Sequence, residues 1–167
     1  MAPSESGAPR VLFAFIAGVI GVAAGFEPAL HVAQALGLAP GFALASGGPL
    51  SAVSLGTLPV PRWLVLAAWG GAWALVLARL TRSDLSRTWR AGKGLAFGAT
   101  APSIGAWLLG AWRSDSIGRV PDWIDLQTLL LADAAWGLVT ILVLDALTGT
   151  RGVRRRSDAD SRRRPGA

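Results

Sequence analysis

Glu27, His31 and Gln34 stand at i, i+4 and i+7, a spacing that lays all three along one stripe of a helix. A carboxylate and an imidazole on such a stripe are groups that relay protons or help bind a cation when burial alters their protonation. Asp133 opens a later apolar run and Arg113 closes an earlier one. Together Glu27, His31, Gln34 and Asp133, with Arg113 at the rim, make a candidate polar pocket. The competing use of the same groups is structural: hydrogen bonds between helices, or an interfacial position where Glu27 and His31 meet water.

Other chemistry finds little support. The chain has no cysteine and one histidine, so thiolate and multi-histidine metal sites are excluded, and no metal or cofactor is expected. Gly92-Lys93-Gly94 lacks the remainder of a phosphate-binding loop. Ser46, Ser51, Ser54 and Ser103 have no positioned base in the sequence, which argues against hydrolase chemistry and, more broadly, against an enzyme.

The elements that would hold the pocket are apolar runs. Of 167 residues, 52% are hydrophobic and 16% charged, and the charges fall between long charge-free stretches at residues 11–26, 63–78, 94–112 and 134–144. A helix needs ~20 apolar residues to cross a hydrocarbon layer of ~30 Å. Four segments meet this: Val11 to Leu36, Arg62 to Leu80, Gly94 to Trp112 and Leu126 to Leu147. They are apolar on all sides, whereas helices on the surface of a soluble protein show a polar face. The expected fold is therefore all-α, a transmembrane four-helix bundle over residues 11–147. Trp63, Trp89, Trp112 and Trp123 lie near the ends of these spans, where indoles prefer the headgroup region.

The net charge of +6 is read as topology, because Lys and Arg mark the connections that stay in the cytoplasm. The connection after the second span carries Arg79, Arg82, Arg87, Arg90 and Lys93, and the C-terminal tail adds seven arginines from Arg151 to Arg164. Both are expected inside, with both termini cytoplasmic and the protein multi-pass in the inner (plasma) membrane. The charge-free stretch Gly37 to Pro61 and the connection holding Arg113, Asp115, Arg119, Asp122 and Asp125 are expected outside. Counting ~1.5 Å per residue puts Glu27 in the outer leaflet, with Asp133 at a similar depth. Asp145, near the inner end of the fourth span, lies level with Arg79, as for an ion pair or snorkelling.

Residues 1–10 and 148–167 are too polar or too rich in Pro, Ser and Gly to bury a core, and read as a mobile N-terminal segment and a basic disordered tail. The expected partner is the lipid bilayer, with the basic connection and tail placed to meet anionic headgroups; without interleaved aromatics no nucleic acid is expected. Arg10 followed by an apolar run ending in Val22-Ala23-Ala24-Gly25 also admits a cleaved signal peptide. The proline-rich Gly37 to Pro61 reads as a loop on the outer face or a re-entrant one covering Glu27 and His31.

Small residues recur at spacing four in Ala17, Gly21 and Gly25, in Gly70, Ala74 and Ala78, in Gly94 and Gly98, and in Ala106 and Gly110. Such stripes allow close helix approach in lipid. They serve contacts within one chain and a homo-oligomer equally. Ala67-Ala68-Trp69-Gly70 matches Ala134-Ala135-Trp136-Gly137, and Leu75-Val76-Leu77 meets Leu142-Val143-Leu144 at the same offset. This is the pattern of two parallel-repeat helical hairpins, or of biased composition.

Phe26-Glu27-Pro28-Ala29-Leu30-His31, Leu66-Ala67-Ala68-Trp69-Gly70-Gly71-Ala72-Trp73 and Ala135-Trp136-Gly137-Leu138 resemble segments of uncharacterised bacterial four-span inner-membrane proteins. The similarity covers most of residues 11–147 and implies a bacterial membrane location without an activity; Glu27 stands where that pattern often has a histidine. Two functional classes follow from these readings. A structural or accessory membrane component would pair its polar groups inside a closed bundle, and a small transporter or proton/cation-permeation protein would line a wet path with them.

Overall fold

The computed structural model describes residues 8–38, 52–55, 58–82, 86–113 and 123–163. In chain order the elements are α1 (Ala8–Gly21), a π-helical turn (Val22–Phe26), α2 (Glu27–Ala35), β1 (Ala52–Leu55), β2 (Leu58–Pro61), α3 (Arg62–Leu80), α4 (Arg87–Arg113) and α5 (Trp123–Arg163). Three helical stretches among the described residues are long and apolar enough to cross a membrane: Pro9–Ala35, Arg62–Leu80 and Leu126–Thr148. α4 occupies the expected third span but is not among them; its middle carries Thr100, Pro102 and Ser103.

The first apolar run is one continuous helix with a register change in it. At the π turn the Glu27 N–H donates to the Val22 carbonyl, five residues back. Pro28 follows and has no N–H to offer the preceding turn. A π turn is one of the local adjustments by which a helix in an apolar medium accommodates a proline. α2 then ends in a Schellman motif: Gly37 takes φ +71°, and Leu38 N–H donates to the Ala33 carbonyl at 2.9 Å. That left-handed backbone is one that glycine adopts without penalty.

α5 is the central helix. α4 packs along it on one side and α1 on another, α1 also packs along α3, and α3 touches α4 and α5 only lightly. One core cluster joins Phe26, Leu30, Ala74, Ala132 and Trp136, and a second joins Ala14, Ala17 and Leu144. The close approaches fall on glycines, as the small-residue stripes predict. A methyl on Gly137 would collide with the Gly94 carbonyl, and one on Gly18 with the Gly70 carbonyl. Trp136 Nε1 donates 3.0 Å to the Gly18 carbonyl in the buried seam between α5 and α1.

Every helix also shows large apolar side chains outward, among them Leu12 and Ile16, Leu64 and Val76, Leu95 and Ile104, and Leu131 and Leu142. Apolar side chains exposed on every helix suit hydrocarbon better than water. Hydroxyls are turned back onto their own helices: Thr81 to the Leu77 carbonyl at 2.9 Å, Thr100 to Ala96 at 2.8 Å and Thr148 to Leu144 at 2.7 Å. This pattern satisfies a polar group where no water is at hand.

Two readings are corrected. The connection between α2 and α3 is not loop throughout, because β1 and β2 form an antiparallel ribbon with Val53 opposite Val60 and Ala52 opposite Pro61; residues 39–51 and 56–57 of the expected re-entrant stretch lie outside the described residues. β-branched valines favour the ribbon, and in a two-stranded sheet both strands are edges, where Pro59 and Pro61 are tolerated. The chain is predominantly helical, in keeping with the expected class, with one small ribbon added. α5, for its part, continues to Arg163, so the basic segment begins as an extension of the last helix.

Candidate functional site

The expected pocket residues are distributed over separate partners. Glu27 opens α2, and its Oε1 lies 3.3 Å from Nη2 of Arg62, the first residue of α3. Arg62 is buried. A cation at a helix N-terminus faces the positive end of the helix dipole, so the Glu27 carboxylate offsets an otherwise unfavourable position. The pair ties the start of α2 to the start of α3. His31 is exposed, with Nδ1 2.7 Å from the Glu27 carbonyl oxygen one turn back, an interaction within its own helix. Gln34, one turn further on, is half-buried. Arg113 closes α4, and its side chain lies outside the described residues.

Asp133 goes elsewhere. It is buried on α5 and accepts a 2.6 Å hydrogen bond from Ser103 Oγ of α4. Among the described residues no hydrogen bond or ion pair links it to Glu27, His31 or Gln34. Its neighbourhood is a cavity of about 630 Å³ in the lightly packed region beside α3. Val22 and Phe26 of the π turn form one wall, Leu64, Trp69 and Trp73 of α3 another, and Pro102, Leu129, Asp133 and Trp136 the side toward α4 and α5. Asp133 is the one ionisable side chain among the lining residues.

The indoles hold this space open. Trp69 and Trp73, one turn apart, meet edge to face with centroids 5.7 Å apart, and Trp73 meets Phe97 of α4 in the same way at 5.8 Å. A methyl on Gly105 of α4 would approach the tips of both indoles. α3 and α4 are therefore spaced by aromatic rings instead of meeting backbone to backbone.

At the other end of the bundle Asp145 pairs with Arg90 of α4, Oδ1 to Nη2 at 2.6 Å, while Arg79 is exposed. The contact is an ion pair whose angles are not those of a hydrogen bond. Arg79 was the level-matched partner in sequence, but Arg90 sits on the helix that packs most closely against α5.

Sequence reasoning missed Arg62, Ser103 and Arg90 as partners. Each acid pairs with a residue on a different helix, and a one-dimensional depth count does not show which neighbour it faces. A usable signal was present for Arg62, since a lone arginine at the apolar end of a span calls for a counter-charge. Among the described residues no group of three or more His, Asp or Glu side chains is arranged to hold a metal. Comparison with protein-family models, with curated proteins and with solved structures gives no match for this chain.

Proposed function

We propose that this protein is a four-span integral membrane protein with a structural or accessory role, in which the few polar groups fasten helices to one another. The observation that carries the reading is the pairing of acids across helices: Glu27 with Arg62, Asp133 with Ser103 and Asp145 with Arg90. A permeation path would need such groups in a connected series facing water. Here they sit at three separate helix junctions, and among the described residues no hydrogen bond or ion pair links one acid to the next.

α4 as the third of four spans is supported by its 27 residues, equivalent to ~40 Å at ~1.5 Å per residue, and by the outward Leu95, Ile104 and Leu108. The charge distribution supports a topology with Ser86 and both termini in the cytoplasm and the β1–β2 ribbon outside. The two Ala-Ala-Trp-Gly segments support a parallel repeat, since Gly70 packs against Gly18 and Gly137 against Gly94 and Gly98. In each case the glycine is the contact point with another helix.

The absence of cysteine makes topology directly testable. A single cysteine at Ser54 should react with a membrane-impermeant maleimide in intact spheroplasts, and one at Ser86 only after lysis; the reverse pattern overturns the orientation. For function, proteoliposomes of the wild-type protein should pass protons and monovalent cations no faster than empty liposomes, and Glu27→Gln should lower thermal stability. Flux above the empty control that disappears in Glu27→Gln would overturn the accessory reading in favour of permeation.

A further inference from the structure

We infer that the cavity beside α3 is a binding site for a hydrophobic cation, with Asp133 as counter-charge and the α3 indoles as its walls. The inference goes beyond the accessory role and requires only that the bundle sit in a membrane.

The cavity's size, about 630 Å³, is in the range of small-molecule sites. Its lining is apolar apart from one acid, and no cationic side chain is among the lining residues. Arg62 stands between Val60 and Leu64, both of which line the cavity, but it is directed to Glu27. The side-chain hydrogen bond that Asp133 receives among the described residues comes from Ser103, a neutral hydroxyl. Among the described residues the site therefore offers a carboxyl group with no cationic partner, in a cavity lined by Phe26, Trp69, Trp73 and Trp136.

Those features select among occupants. An acyl chain would fill the apolar volume but make no use of the acid. An anion would meet a carboxyl and no positive group. A cation with an apolar body gains on both counts, because it supplies the charge that the carboxylate lacks and its charge is stabilised over indole faces, most strongly where water is excluded. The edge-to-face packing of Trp69 on Trp73 fixes one indole by the other, so the walls are formed before a ligand arrives. Leu64, exposed at the α3 end of the lining, places the opening toward the surrounding lipid, which is where a hydrophobic cation concentrates.

The test uses the full chain in nanodiscs of zwitterionic lipid, with radiolabelled tetraphenylphosphonium as the probe. Wild-type protein should bind it saturably above empty nanodiscs. Asp133→Asn, which keeps the side chain's shape and can still accept from Ser103, should weaken binding about tenfold or more. Leu64→Trp, which fills the opening and leaves Asp133 in place, should also abolish saturable binding. Neutral triphenylphosphine oxide should fail to compete. Equal binding by wild type and Asp133→Asn, competition by the neutral oxide at the same concentration, or binding no different from empty nanodiscs would each overturn the inference. The maleimide pattern reports separately on membrane insertion, so failure of the site and failure of the membrane reading are distinguishable.

Discussion

The two sides of this bundle are built on opposite principles. Along α5, backbones touch: Gly94 and Gly98 of α4 lie against Gly137, and Gly25 of the π turn against the Ala135 carbonyl. Between α3 and α4, indole rings intervene, with Gly105 giving room to the tips of Trp69 and Trp73. The same residue type serves both ends, since a glycine lets in either a neighbouring backbone or a large ring. In lipid, where water does not drive apolar surfaces together, contact area at close approach decides which helices associate. The glycine seam is thus the fixed half of the molecule, and the tryptophan-spaced half retains volume. The two Ala-Ala-Trp-Gly segments meet at the boundary between these halves: both tryptophans line the cavity, but Trp136 is buried and hydrogen-bonded across the seam, while Trp69 is half-buried with its ring against Trp73.

This contrast can be broken most severely at Gly137. Gly137→Leu should prevent α4 from seating on α5, a loss of ~3 kcal/mol or more by analogy with overpacked cores, read as the absence of a monodisperse species after detergent extraction. Arg62→Leu comes next, because it leaves the Glu27 carboxylate without its partner; a fall of about 2–3 kcal/mol is expected by thermal scanning, with Arg62→Lys recovering part of it. Trp136→Phe removes the donor to Gly18 together with part of the buried ring volume, so about 1–2 kcal/mol should be lost on the same assay. On the open side, Gly105→Ala should change stability by no more than ~0.5 kcal/mol, because indole tips can move and alanine favours the helix. If Gly105→Ala proved as damaging as Gly137→Leu, the two sides would not differ in kind.

Three of the expected apolar helices were legible because charge and hydropathy are properties of composition: the Arg62–Leu80 helix ends where the sequence reading puts it. The small-residue stripes were legible for a related reason, since spacing four maps directly onto a helix face. What escaped was rotation. Glu27 and Asp133 were grouped by depth, yet Glu27 turns to Arg62 and Asp133 to Ser103, and no count along the chain reports the azimuth of a helix about its axis. The β1–β2 ribbon escaped because its prolines and lack of charge match a loop as well as an edge strand. The cavity escaped because a volume between helices depends on ring orientations that no motif encodes.

The π turn at Val22–Phe26 also bears on the phase of the first helix. One residue beyond the α-helical count turns everything after it by ~100° relative to an uninterrupted helix, so the segment before the turn and the segment after it present faces in different phase. Glu27 meets Arg62 only in the second phase. Removing a single residue, such as Ala24, would restore an unbroken α-helix and leave Glu27, His31 and Gln34 in the phase they now hold, because the turn absorbs one residue; straightening the turn with every residue kept would carry them around the axis, away from α3. A one-residue gap at this place in a related chain would therefore keep the same fastening between the counterparts of Glu27 and Arg62, with a regular helix in place of the π turn.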